Sequence, residues 1–357
     1  MAHDHSKALQ NAGEDVRKAI ELLHSKGFEI LRPLSMAQMQ EDPTAQPGPR
    51  DLVVCVIDTE TTGNDAQVDE AIEIGGQKII VGPSGMRLVQ RLSMLEEPTR
   101  PISEEAQRVH GLSLEDVRGH RFDESKLETF LEGASFVVAH NAQFDAPIML
   151  RRFPQVAFPN WACSMKDVDW RSQFGLSSRT EDAIVRAAGM TYSAHRAVED
   201  TAALTEALTQ HRVWKTLEQA SRQSYVQVWL EDTPFESGDA IRARGGFRWN
   251  DPSKGGIPNS PKAWHAVIDA KDVPNLAAFL MDEVYIPFPT ARRPVSRNPS
   301  IIVRELPNRF LIPTDFPNEV YRQRVAVRSL LVEAASDEDP MQSGSMSIDS
   351  ALDQPSA

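Results

Sequence analysis

Long apolar runs are missing from this 357-residue chain. No stretch approaches the roughly 20 residues needed to cross a bilayer, so no membrane partner is expected. The amino terminus, MAHDHSKALQNAGEDVRKAI, mixes charges and lacks the continuous apolar core of a secretory signal. A cytoplasmic protein is the expectation. Cysteine is nearly absent: Cys55 and Cys163 cannot build a disulfide framework, and Cys55, inside an apolar run, reads as core packing. Positive charge vanishes at the carboxyl end. From Ala334 onward there is no Lys or Arg, and residues 334–357 read as a disordered acidic tail.

What is present is ordinary for a globular protein, with 41% apolar and 25% charged residues and a length that suits two domains plus tails. The net charge of −13 divides unevenly. Residues 51–211 hold 25 Asp+Glu against 15 Lys+Arg, while residues 242–328 hold 14 Lys+Arg against 8 Asp+Glu. An acidic module beside a basic one suits a protein that holds cations in one place and phosphates in another.

Residues 14–26 have helical spacing at Val16, Ala19, Ile20 and Leu23, with Gly27 as a stop and Asn11 ahead of Glu14 as a capping box. Phe28 to Leu34 could add a strand, and Pro43, Pro47, Gly48 and Pro49 mark a linker that closes residues 1–50. LVVCVI at 52–57 has the pattern of a strand buried on both faces. Two further strands at 70–81 and 86–92 are joined by Gly82-Pro83-Ser84-Gly85. Helices are expected around 103–117 and 123–132, a strand at 136–139, and helices at 142–152, 180–188 and 197–210. Strands in hairpins followed by alternating helices and strands indicate an α/β fold with a mixed sheet flanked by helices.

Asp58 and Glu60 close the first strand two residues apart, so they project from one face. Paired like charges need a cation or a proton, which makes them a divalent-metal candidate. The alternative is a polar strand end turning at Thr61-Thr62-Gly63. A second segment, His140-Asn141-Ala142-Gln143-Phe144-Asp145, puts Asp145 on the first turns of a helix, where it could simply complement the dipole. A third, His195 through Asp200, opens the last helix of the domain, and a lone His-x4-Asp carries little weight.

Taken together and in order, Asp58-x-Glu60, Asn141-x-x-x-Asp145 and His195-x4-Asp200 resemble the motifs of the DnaQ-like (DEDDh) 3′→5′ exonuclease family. Arg196 stands where the family's sister branch has tyrosine, so the similarity is to the histidine branch. Pro101 to Leu112, with Val109-His110-Gly111, resembles a segment of polymerase proofreading subunits and of bacterial exonuclease X; Trp161 to Lys166 resembles the exonuclease X group as well. The resemblance covers 51–212 and implies an RNase H-like sheet. It also implies two Mg²⁺ or Mn²⁺ ions on Asp58, Glu60, Asp145 and Asp200, with His195 as general base. The ordinary histidine pKa of about 6.5 suits that work near neutral pH. Thr61, His110 and Asn141 are the implied substrate contacts, each with a structural role as its alternative.

Residues 213–333 read as a small α/β module, with strand, helix, hairpin, strand and helix over 225–285 and a proline-rich irregular stretch at 286–317. Arg242, Arg244, Arg248 and Lys254 interleave with Phe247, Trp249 and Trp264, the ingredients of a single-strand platform or of a packed hairpin with arginines outside. The leading expectation is release of nucleoside monophosphates from single-stranded DNA 3′ ends, alone or with a polymerase or repair partner. An RNA 3′-end trimmer and a non-catalytic nucleic-acid adaptor that keeps the fold are the rivals.

Overall fold

A computed structural model describes residues 14–23, 25–36, 39–285, 299–306, 309–310 and 323–336. The chain divides into two compact units, Met1–Ser221 and Arg222–Ala357. None of the described helices is long and apolar enough to cross a membrane.

In the first unit, residues 14–23 form α1, but Val16, Leu22 and Leu23 are exposed, so the apolar stripe that predicts this helix is not buried among the described residues. The Asn11 cap lies outside them. Of the expected strand at Phe28–Leu34 only β1 (Arg32–Pro33) forms, parallel to a two-residue β7 (Met190–Thr191). The main sheet holds β2 (Leu52–Thr61), β3 (Ala71–Gly82), β4 (Gly85–Leu95), β5 (Phe136–Ala139) and β6 (Trp161–Cys163), in the order β4-β3-β2-β5-β6. The hairpin-linked strands β2, β3 and β4 run antiparallel, while β5 and β6 join β2 in parallel. This is the mixed sheet of the RNase H-like expectation.

The helix expected at 103–117 is broken. Gly111 at φ 74 ends α2 (Glu104–His110), and Ser113 with Asp116 caps the short α3 (Leu114–Val117). The α4 helix (Glu124–Leu131) lies over one face of the sheet, where the Cys55 thiol donates to the Phe130 carbonyl. α5 (Ala142–Arg152) follows β5 directly. The short helices α6 (Ser164–Asp167) and α7 (Trp170–Phe174) follow β6, and none of these three short elements is marked by a periodic pattern. On the opposite face, Val54, Val56, Ile79, Phe136 and Val138 are buried with residues of α8 (Glu181–Ala187), α9 (Ala197–Gln210) and α10 (Trp214–Ser221). Through Trp214 and Leu217, α10 packs into this core, so the first unit runs on to Ser221.

The second unit is an antiparallel sheet, in the order β12-β11-β8-β10-β9. Its strands are β8 (Tyr225–Leu230), β9 (Arg248–Asn250), β10 (Ala263–Asp269), β11 (Ser300–Leu306) and β12 (Arg324–Ala326). Helices α11 (Gly238–Arg244), α12 (Val273–Phe279) and α13 (Val327–Ser336) accompany it, and residues of all three join the core around Val226, Val228 and Ile301. Two expectations are corrected here. The stretch 286–317 was predicted to be irregular, yet it supplies β11, a strand paired on both sides; its Ile301-Ile302-Val303 run is proline-free, and the prolines lie on either side. The predicted tail begins inside α13, and its remainder from 337 lies outside the described residues.

Candidate metal centre

β2 runs past its predicted end at Ile57 as far as Thr61, so Asp58 and Glu60 continue the strand face that buries Val54 and Val56. Opposite Asp58 on β3 stands Gly75. A Cβ at Gly75 would lie 2.1 Å from the carbonyl carbon of Ala197 and 2.3 Å from its oxygen. Bare backbone there lets the first turn of α9 settle directly on the sheet. Asp200 sits on that turn, and Asp58, Glu60 and Asp200 each offer a carboxylate oxygen within 4.8 Å of the others. Asp145, on the first turn of α5, is buried, and one of its oxygens accepts the Thr59 hydroxyl at 2.8 Å. It lies close enough to Asp58 for its charge to push the Asp58 pKa upward.

Burial, then mutual repulsion, governs this cluster. Asp58 is raised well above the usual carboxylate range, first by desolvation and then by Asp145 and other neighbouring acids. Desolvation followed by Asp200 and Glu73 lifts Glu60 to about 8, and desolvation lifts Asp145 to about 7 against the Thr59 hydrogen bond. Asp200 is raised by burial against hydrogen bonds from the His195 backbone and Tyr192. Among the described residues, none of the four acids forms a salt bridge; Arg196, which does lower Glu60, is committed to Glu73. Converging carboxylates without an ion-pair partner among the described residues fit hard divalent cations such as Mg²⁺ or Mn²⁺ better than zinc.

His195 is exposed and adopts φ 78, a left-handed conformation that costs a non-glycine residue roughly 1–2 kcal/mol. Its backbone N–H donates to both Asp200 oxygens, at 3.2 and 3.0 Å, which holds the turn. The next residue anchors the same turn. Arg196 donates from Nε and Nη2 to the buried Glu73 carboxylate, at 2.8 Å for the shortest contact, and the Ala197 N–H joins it at 3.3 Å. In the sequence, Arg196 marks only a family branch, and no motif includes Glu73. Its signal was a charge between Ile72 and Ile74 in an apolar strand, which demands a partner.

The expected substrate contacts divide by how far the fold already uses them. The Thr61 hydroxyl donates to the Gly63 carbonyl at 2.6 Å. Asn141 occupies the left-handed region at φ 66, the turn from β5 into α5, and its side chain makes no cap hydrogen bond. Both ring nitrogens of His110 are taken: Nδ1 accepts the Leu112 N–H at 3.0 Å, so Nε2 carries the proton and faces the Thr61 carbonyl at 3.2 Å. Desolvation keeps that ring's pKa below the ordinary histidine value. Two further groups went unnoticed in the sequence. Glu181 at the start of α8 is driven well above its usual pKa by burial and by the charges of Asp200, Asp145 and Glu60. The Tyr192 hydroxyl donates to Glu181 at 3.1 Å and also reaches Asp200.

Comparison with known proteins covers the same part of the chain. The family model described as Exonuclease matches residues 55–208. A DNA polymerase III PolC-type from Thermotoga maritima is 34% identical over 164 residues, 42% of this chain but 11% of that protein. Exodeoxyribonuclease 10 of Escherichia coli K12 is 32% identical over 111 residues, 31% of this chain and 44% of that protein. The chain thus spans less than half the length of either relative. A structure of exonuclease X in complex with 5′ overhanging duplex DNA aligns over 47% of this chain and 99% of its own, with 24% identity and a TM-score of 0.37. Over residues 55–208, the chain is thus similar to exonucleases, among them an exodeoxyribonuclease and a PolC-type DNA polymerase III.

Proposed function

We propose that this protein is a 3′→5′ exonuclease that hydrolyses phosphodiesters at DNA 3′ ends, releasing nucleoside monophosphates with the help of two divalent cations, Mg²⁺ or Mn²⁺. The observation that carries the reading is the convergence of Asp58, Glu60 and Asp200 within 4.8 Å, with Asp145 beside them and no balancing ion pair among the described residues. DNA as substrate is supported by the names of the relatives, an exodeoxyribonuclease and a DNA polymerase III, and the latter suits a polymerase or repair partner. Work in the cytoplasm suits two buried free thiols.

Asp58, Glu60, Asp145 and Asp200 would hold the cations. Bound there, such ions supply Lewis-acid stabilisation of charge on a phosphate and acidify water. His195, exposed and without a ring hydrogen bond among the described residues, takes the proton of the attacking water on an imidazole nitrogen. Glu73 and Arg196 hold the turn that carries it. The Thr61 hydroxyl, having donated its hydrogen to Gly63, keeps lone pairs to accept a terminal 3′-hydroxyl. Asn141, whose side chain makes no cap hydrogen bond, contacts the terminal nucleotide, whereas His110 positions the Thr61 carbonyl and so acts through the strand end.

The test is digestion of 3′-labelled and 5′-labelled oligonucleotides, DNA beside RNA, with Mg²⁺ and with EDTA. Stepwise shortening of 5′-labelled DNA from its 3′ end, abolished by EDTA, is expected. Faster shortening of RNA would reassign the substrate, and no metal-dependent shortening of either would end the proposal.

A further inference from the structure

Arginines and aromatics gather at the open edge of the second unit's sheet. β9 is the outermost strand, and Trp249 at its centre pairs with Trp264 of β10. The structure separates the aromatics that sequence could not rank. Phe247 and Trp264 pack against the unit's core, whereas Trp249 is 48% exposed. Its ring meets Trp264 edge-on, with centroids 5.5 Å apart, and the Arg242 guanidinium lies 5.5 Å from the Trp264 ring centre. Arg242, Trp264 and Trp249 therefore form one contiguous series, half-buried at Trp264 and open at Trp249.

Arg242 of this series is paired with Asp239 on α11, whereas the cations beside it are not so engaged. Arg244, Arg248 and Lys254 are exposed, and among the described residues none of them meets a carboxylate within ion-pair distance. Arg244 lies instead over the Phe279 ring at 4.7 Å. The acid within this segment, Asp251, is neutralised by Lys262 at 2.8 Å, and that contact with the Ser253 hydroxyl holds its pKa down to about 2. Gly245 and Gly246, at φ 80 and 78, turn the chain from Arg244 into β9 with nothing within 4 Å of where a Cβ would stand. Backbone there is open to close approach.

We propose that this edge binds single-stranded nucleic acid, with Trp249 stacking on an unpaired base and Arg244, Arg248 and Lys254 holding the backbone phosphates. An exposed indole face matches a base taken out of a duplex, which stacked base pairs do not offer, and uncompensated cations match a polyanion. The inference rests on the reading of this chain as a nuclease, for which the edge would retain the strand being shortened. It assigns a ligand to residues outside the metal centre, and its binding step needs no metal.

The experiment uses the full chain in EDTA, so that nothing is cleaved, with fluorescently labelled oligothymidylate followed by anisotropy at several salt concentrations. Trp249→Ala is expected to weaken binding about tenfold, and Trp249→Phe to restore most of it. The double variant Arg244→Glu, Arg248→Glu is expected to weaken binding further and to flatten its salt dependence. In Mg²⁺, hydrolysis of a small reporter, the p-nitrophenyl ester of thymidine 5′-monophosphate, should proceed at the wild-type rate in Trp249→Ala, which also checks folding. Unchanged oligothymidylate binding in both the Trp249→Ala and double variants, equal preference for duplex, or no binding by the wild type would overturn the proposal. Binding without cleavage in any metal would instead sink the exonuclease reading and leave this one standing.

Discussion

Glu60 and Asp145 keep their protons to about pH 8 and about pH 7 in the folded chain, against ordinary values of 4.5 and 3.8. Between those limits the folded form binds more protons than the unfolded one, so its stability falls as pH rises through the window. Without divalent ions, the melting temperature should therefore drop between about pH 5 and about pH 8.5, and Mg²⁺ should recover most of the loss at the upper end. Asp145→Asn should lessen the drop. A metal-free profile that is flat or rises with pH would show that the carboxylates are not crowded as described. These acids were legible in the sequence because each lies in a short segment whose spacing survives without the fold. Glu73, Glu181 and Tyr192 were not, since they reach the centre from β3, from α8 and from the chain between β7 and α9. No local spacing links them to it.

At the scale of elements, the site depends on how closely α9 approaches the sheet. Gly75→Ala would drive a methyl group into the backbone of Ala197, which cannot yield without moving the helix that carries His195 and Asp200. Overpacking of this kind costs about 1–3 kcal/mol, and nuclease activity is expected to fall by at least about tenfold. Gly76→Ala makes the control. Its Cβ would meet the Phe130 ring at 2.7 Å, on α4, which carries no site residue, and the Val56 carbonyl of β2 only at 3.2 Å. Stability should fall there while the rate per folded molecule stays near wild type; equal losses of rate at both positions would deny α9 its special place. Long periodic elements such as α5 and α9 were readable from sequence almost to the residue. β11 was hidden because the prolines around it dominate any averaging window, and α1 shows that helical spacing does not by itself bury a face.

At the scale of the molecule, the charge asymmetry read from composition gains a physical meaning. The acidic half contains the clustered carboxylates, and the basic half presents the uncompensated edge around Trp249. A net charge of −13 is compatible with a nucleic-acid enzyme when the two signs are segregated along the chain. The central claim concerns the first of these halves, that Asp58, Glu60, Asp145 and Asp200 hold cations for phosphodiester hydrolysis. Its most direct measurement is Mn²⁺ binding by calorimetry, run beside the rate of 3′-end shortening, for the wild type and for Asp145→Asn. The expected result is saturable Mn²⁺ binding in the wild type, and in the folded variant a loss of binding together with at least a hundredfold loss of rate. An Asp145→Asn protein that binds Mn²⁺ and shortens DNA as the wild type does would contradict the account.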